Sequence, residues 1–113
     1  MTPVELLRKA RARIERPECW TKGANARNQN GDITYAPGDA VCWCMDGAIY
    51  EVIYGTAHCP DAVRIRARDL LTQATGLSRI FLFNDATKTR HEDALAAYDK
   101  AIALALAQQE TTK

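Results

Sequence analysis

The stretch that most limits how this chain can fold is AVCWCMDGAIYEVIYG, residues 40–55. Turned at about 100° per residue, Val41, Cys44, Met45, Ala48, Ile49 and Val52 fill one broad apolar face. Trp43, Tyr50 and Tyr54 form a ridge on the other side, and Gly47 leaves a gap beside them. Asp39 precedes the run as a candidate N-cap, Gly55 stands just past its end, and Asp46 and Glu51 are its only charges. A helix apolar nearly all round belongs inside a fold. The pattern therefore predicts a buried central helix over 39–54.

Cys42-Trp43-Cys44 invites a metal or redox reading. On a helix, residues i and i+2 do not face each other, so these two thiols could not chelate one ion or form one unstrained disulfide. In a strand they would share a face, but the run is long and carries helical punctuation. The favoured reading is of core cysteines, because free Cys is among the most buried residue types.

The flanks read as further helices. Thr2 and Glu5 have capping-box spacing with Pro3 at the first helical position, and Leu6, Leu7, Ala10 and Ile14 share a face that ends at Pro17. Residues 17–39 are polar and punctuated. Asn30-Gly31 is a hairpin turn signal, and short strands are predicted near 19–22 and 33–35. Pro60 opens a helix to about Thr75, striped by Val63, Ala67, Leu70 and Ala74 and stopped by Gly76. RIFLF, residues 79–83, reads as a short extended segment. Thr89 and Glu92 repeat the capping-box spacing before a last helix to about Gln109, which is expected to bury Leu95, Tyr98, Ile102 and Ala105 or Leu106. The fold class is mainly α: about four helices around 39–54, with a small hairpin near 19–35, in one domain spanning the 113 residues.

Hydrophobic residues at 47% suffice for a packed core, and a net charge of +1 gives no global drive toward nucleic acid or membrane. No apolar run approaches the roughly 20 residues of a membrane span, and the N-terminal segment lacks the apolar core of a signal peptide. A cytoplasmic location follows as the expectation, with the four cysteines as reduced thiols.

Several residue types carry possible chemistry. Cys19, Cys59, His58 and His91 are zinc-ligand types, yet no C-x-x-C pair is present, and no metal or cofactor is expected. A thiol nucleophile would need Cys44 or Cys59 beside His58 or His91 and a carboxylate such as Asp85. Arg8, Lys9, Arg11, Arg13 and Arg16 with Arg64, Arg66 and Arg68 could track phosphates. They are not interleaved with aromatics, which favours a solvated basic face. Asn84-Asp85 reads as a turn and cap, or as a polar recognition pair.

Four elements together carry a family resemblance: Trp20-Thr21-Lys22-Gly23, Trp43-Cys44-Met45-Asp46-Gly47-Ala48, Phe83-Asn84-Asp85, and the Ala- and Leu-rich last helix. Over about residues 18–106 the chain resembles a family of small uncharacterised proteins from bacteria and their phages, with Phe83 where that family usually has Trp. The resemblance implies a bacterial or phage protein of the cytoplasm and implies no reaction. Trp20, Gly23, Asn84 and Asp85 are the candidate binding residues. The expected function is a non-catalytic binding or regulatory module, a phage or prophage accessory that contacts a host protein. The alternatives are a cysteine enzyme using Cys44 or Cys59 and a nucleic-acid binder using the basic helices. The sequence leaves the partner, any substrate and the oligomeric state open.

Overall fold

Thr2 Oγ1 accepts the backbone N–H of Glu5 at 3.2 Å and starts α1, Pro3–Arg13. The computed structural model describes residues 1–36 and 38–111 and is mainly helical. After α1, a single 3₁₀ turn, Pro17–Cys19, leads to a two-stranded antiparallel sheet of β1, Ala26–Arg27, and β2, Cys42–Trp43. The remaining helices are α2, Met45–Tyr54; α3, Asp61–Thr75; α4, Ile80–Asn84; and α5, His91–Thr111.

The buried helix is present but starts at Met45 rather than at residue 39. Asp39 is not its cap; its Oδ2 instead accepts the Thr34 hydroxyl at 2.7 Å. Cys42 and Trp43 pair with Arg27 and Ala26, so the chain enters the helix from a strand and Val41 stays 46% exposed. Cys44 is the N-cap, with its sulfur 3.2 Å from the Gly47 N–H. Met45, Ala48, Ile49 and Val52 are buried as the periodicity requires. Helix α1 packs on α2, α3 and α5 and α3 packs on α1, α4 and α5, while α2 packs on α1 and α4. The Tyr50–Tyr54 ridge of α2 turns away from the bundle, and Tyr54 is 74% exposed.

The hairpin forms, with a pairing different from the expected one. Asn30-Gly31 does turn the chain: Gly31 has a positive φ of 84° and its N–H reaches the Asn28 carbonyl at 2.9 Å. That turn closes Arg27 against Ile33, not 19–22 against 33–35. Trp20 bridges Trp43 in parallel instead, because Pro17 winds the preceding residues into the 3₁₀ turn. The Arg27 guanidinium knits the region, donating to Thr21 Oγ1, Gly31 O and Lys22 O at 3.1 Å each.

RIFLF is helical, not extended. Ile80 and Asn84 are buried while Phe81 and Leu82 are 49% and 44% exposed, a spacing only a helical turn gives. Gly76 ends α3 in the left-handed conformation, at φ 73°. At the start of α5, Asp93 rather than Glu92 reaches back, accepting the Arg90 N–H at 2.8 Å. The stripe of α5 is narrower than expected: Ala94, Ala97, Tyr98, Ala101 and Ala105 are buried, Leu95 and Ile102 are partly so, and Leu106 is exposed. Alanines let α5 lie close on α3, whose Ala67, Leu70 and Leu71 are fully buried. The larger side chains of α5 then flank the contact.

Gly47 permits a close crossing between the long loop and α2. A Cβ there would lie 1.9 Å from the Asn25 carbonyl oxygen, which also accepts the Cys44 N–H at 3.0 Å. Gly47→Ala must push backbone from backbone and is expected to destabilise by more than about 3 kcal/mol or to abolish folding. At Gly55 φ is −84° and the nearest obstacle is 3.6 Å away, so Gly55→Ala should change stability by no more than about 1 kcal/mol. Urea unfolding of both variants, followed by tryptophan fluorescence, checks the contrast.

Candidate functional site

Trp20, Gly23, Asn84 and Asp85 come together around one fully buried carboxamide. Asn84 Oδ1 accepts the Trp20 indole N–H at 2.7 Å and the Met45 backbone N–H at 3.0 Å. Asn84 Nδ2 donates to Thr21 O at 3.0 Å and to Asp85 Oδ1 at 2.9 Å, and Asp85 Oδ1 also accepts the Gly23 N–H at 3.0 Å. Lys22 lies 5.5 Å over the Trp20 ring and donates to Ala86 O at 2.7 Å. On the same indole, the His91 ring sits 5.9 Å away, with its Nε2 2.6 Å from the Ile14 carbonyl. This knot joins the ends of α1 and α4, the starts of α2 and α5, and the 20–23 loop. Both polar ends of the Asn84 carboxamide bond within the protein.

Cys44 is 4% exposed, and burial pushes its thiol up to about 11. The Gly47 and Asp46 backbone N–H groups pull the other way without winning, and the Asp46 and Asp85 charges add to the rise. Its thiol contacts Asn25 Oδ1 at 3.6 Å and the Gly47 N–H, with no imidazole among its hydrogen-bond partners. A nucleophilic thiol needs the opposite environment, electropositive and partly open. Cys59 is half-buried with its sulfur 3.8 Å from Pro60 O, and His58 is exposed. Among the described residues, Cys19, Cys59, His58 and His91 form no group of three or more that could hold a metal ion. All four cysteines are free thiols.

Four arginines of α1 and α3, namely Arg11, Arg64, Arg66 and Arg68, face acids. Arg11 pairs with Glu15 and Asp99, Arg66 with Asp69, and Arg68 with Asp46. Paired guanidinium groups leave a weaker field for a phosphate backbone.

A concave feature lies elsewhere, between the hairpin loop and α2. It has a volume of about 380 Å³. Trp43 and Gly47 lie at its base, Thr34 and Tyr35 form the loop side, and Asp46, Tyr50, Glu51 and Tyr54 form the helix side. The loop side is stiffened by the Thr34–Asp39 bond and by the Ala36 N–H on Thr34 Oγ1 at 3.2 Å. Tyr50 and Tyr54 stand 6.4 Å apart, centroid to centroid. Trp43 is 9% exposed, and its indole N–H is buried without an acceptor among the described residues. The sequence did signal the Trp43–Tyr50–Tyr54 ridge. What it hid was that a loop some fifteen residues away in the chain would bring Tyr35 opposite and make the ridge the wall of a cleft.

A family model described as a family of unknown function, DUF6197, matches residues 1–104. The chain belongs to that family. The match takes in α1 as well as the segment that carried the motif resemblance. Neither curated proteins nor solved structures gave a match. The DUF6197 description carries no activity, so function has to be argued from the geometry.

The Asn84 knot and Cys44 each yield a measurable consequence. Asn84→Leu strands the Trp20 indole N–H, the Met45 N–H and the Thr21 carbonyl, each an unmade bond costing about 1–3 kcal/mol when buried. Urea unfolding should show a loss on the order of 4 kcal/mol. The Cys44 thiol holds its proton in the folded state after the unfolded thiol, at 9.0, has lost it. Its contribution is therefore intact below pH 9 and is lost as pH rises toward 11, by about 2–3 kcal/mol. Buried Tyr98, which donates to Met45 O at 2.5 Å, shifts in the same direction. Cys44→Ser keeps a capping oxygen and removes the thiol titration, so urea midpoints at pH 8 and pH 10.5 should differ less for it than for the parent.

Proposed function

We propose that the protein is a non-catalytic binding module that holds a segment of another protein in the cleft between the hairpin loop and α2. The observation that carries this reading is the cleft itself: a concavity of about 380 Å³ with Trp43 at its base and Tyr35, Tyr50 and Tyr54 around it. Aromatic side chains give large contact area at small conformational cost, which is why they dominate recognition surfaces. The buried, high-pKa thiol of Cys44 supports binding over cysteine chemistry. The ion pairs of Arg11, Arg66 and Arg68, and the Glu51 carboxylate in the cleft, support a protein partner over nucleic acid.

In this reading the Trp20–Gly23–Asn84–Asp85 knot serves binding by fixing the start of α2, and with it one wall of the cleft. The bacterial or phage setting, the cytoplasmic location and a host protein as partner extend the same proposal, on the motif resemblance and on the four free thiols. No helix among the described residues is long and apolar enough to cross a membrane.

Tyr35 is 88% exposed at the mouth of the cleft, so a photo-crosslinking phenylalanine analogue there should leave the fold intact. In bacterial lysate it is expected to trap a discrete polypeptide that the same analogue at Leu106 of α5 does not, and Tyr50→Ala should abolish the adduct. Identical adducts from both positions, or none from position 35, would count against the cleft as the binding surface.

A further inference from the structure

On one side of α2 the protein already binds a guanidinium with its own residues. Arg68 of α3 sets its Nε and Nη2 on the two oxygens of Asp46 at 2.8 and 3.0 Å, and its Cζ lies 5.6 Å from the Tyr50 ring centroid. Carboxylate and tyrosine together hold a planar cation: the first supplies charge and a bidentate fork, the second a ring face. The hydrogen bond to Asp46 raises the Arg68 pKa further.

The same pair of groups recurs along the helix. Glu51 and Tyr54 follow Asp46 and Tyr50, with Tyr35 across the cleft. Here no cation is supplied. None of the described residues lining the cleft is Lys, Arg or His, and α2 contains none either. Glu51 is half-buried and makes no ion pair among the described residues, whereas Asp46 is held by Arg68.

We infer that the cleft takes an arginine or lysine side chain from a partner polypeptide, with the cation on Glu51 and against the ring faces of Tyr54 and Tyr35. Charge complementarity selects the occupant: the cleft offers π faces and a carboxylate without a counter-ion. A segment of chain fits better than a free small cation, because Tyr35 lines the cleft yet is 88% exposed, a ring face that neighbouring residues of a peptide would cover. The inference rests on the reading of the cleft as the binding surface and adds the chemistry of what enters.

The test is selection of a displayed library of random dodecapeptides on the full chain, followed by titration of synthetic winners by fluorescence polarisation. Winners should share a basic residue whose replacement by citrulline or norleucine weakens binding about tenfold or more, the equivalent of one charge-assisted contact. Glu51→Gln, an isosteric change, should cost a similar factor and flatten the salt dependence. Tyr54→Ala, at a position 74% exposed, should weaken binding without unfolding the protein. Winners that respond to Tyr54→Ala, but not to Glu51→Gln or to citrulline, would keep the cleft and overturn the cation. Winners indifferent to both protein substitutions, or a selection without winners, would overturn the cleft as well. N-acetylarginine amide binding as tightly as the peptides would overturn the assignment to a polypeptide.

Discussion

The Asn84 carboxamide is the point at which the described elements are tied to one another. It is fully buried, accepts from Trp20 and Met45 through one oxygen, and donates to Thr21 and Asp85 through one nitrogen. An apolar side chain at this place could fill the volume but could not set the angle between the 20–23 loop and α2. A half-satisfied amide would be worse than none, since a stranded buried dipole carries its full desolvation cost. With every bond made, the group determines which end of α2 meets which loop. The Trp20 ring, packed by His91 and capped by Lys22, transmits that constraint to the start of α5.

From that anchor the geometry of the cleft follows. The bond from Met45 N–H to Asn84 fixes where α2 begins, and Gly47 then lets the Asn25 backbone cross the helix at contact distance. The crossing carries β1 alongside β2, and Arg27 on β1 gathers the loop by three donations. The loop returns with Thr34 and Tyr35 facing Tyr50 and Tyr54 across open space. One glycine, one carboxamide and one guanidinium thus place aromatic rings that are distant in sequence around a shared concavity.

Much of this was legible beforehand where the cause is local. Thr2 caps α1, Gly76 stops α3, and the apolar stripes of α1 and α2 mark the core, because each depends on residues within two turns of one another. The family resemblance also reached the right neighbourhood. Elements fixed by distant partners were harder to read. Cys42 and Trp43 have apolar side chains compatible with a helix, and only the pairing with Ala26 and Arg27 makes them a strand. RIFLF is too short for its period to show, and it becomes helical because Ile80 and Asn84 must face inward together. The hairpin signal at Asn30-Gly31 told where the chain turns, not which residues lie across from it. At the site, the candidate binding residues Trp20, Gly23, Asn84 and Asp85 lie together in one hydrogen-bonded knot. Their mutual bonding, and the role of Tyr35 in the cleft, depend on contacts that no spacing encodes.

The contact of α5 with the bundle has a separate consequence. Ala94, Ala97, Ala101 and Ala105 line it, and a methyl group has no rotamers to freeze on burial. The alanines therefore add no side-chain entropy cost to this seam, which falls instead on Tyr98 and on Leu70 and Leu71 of α3. The seam is correspondingly intolerant of volume: an added methylene has no alternative conformation to retreat into and acts as a wedge along the helix axis. Sequence drift should thus obey different rules at the two seams, with exchange among bulky aliphatics where α1 meets α2 and near-constancy of size at the alanines of α5.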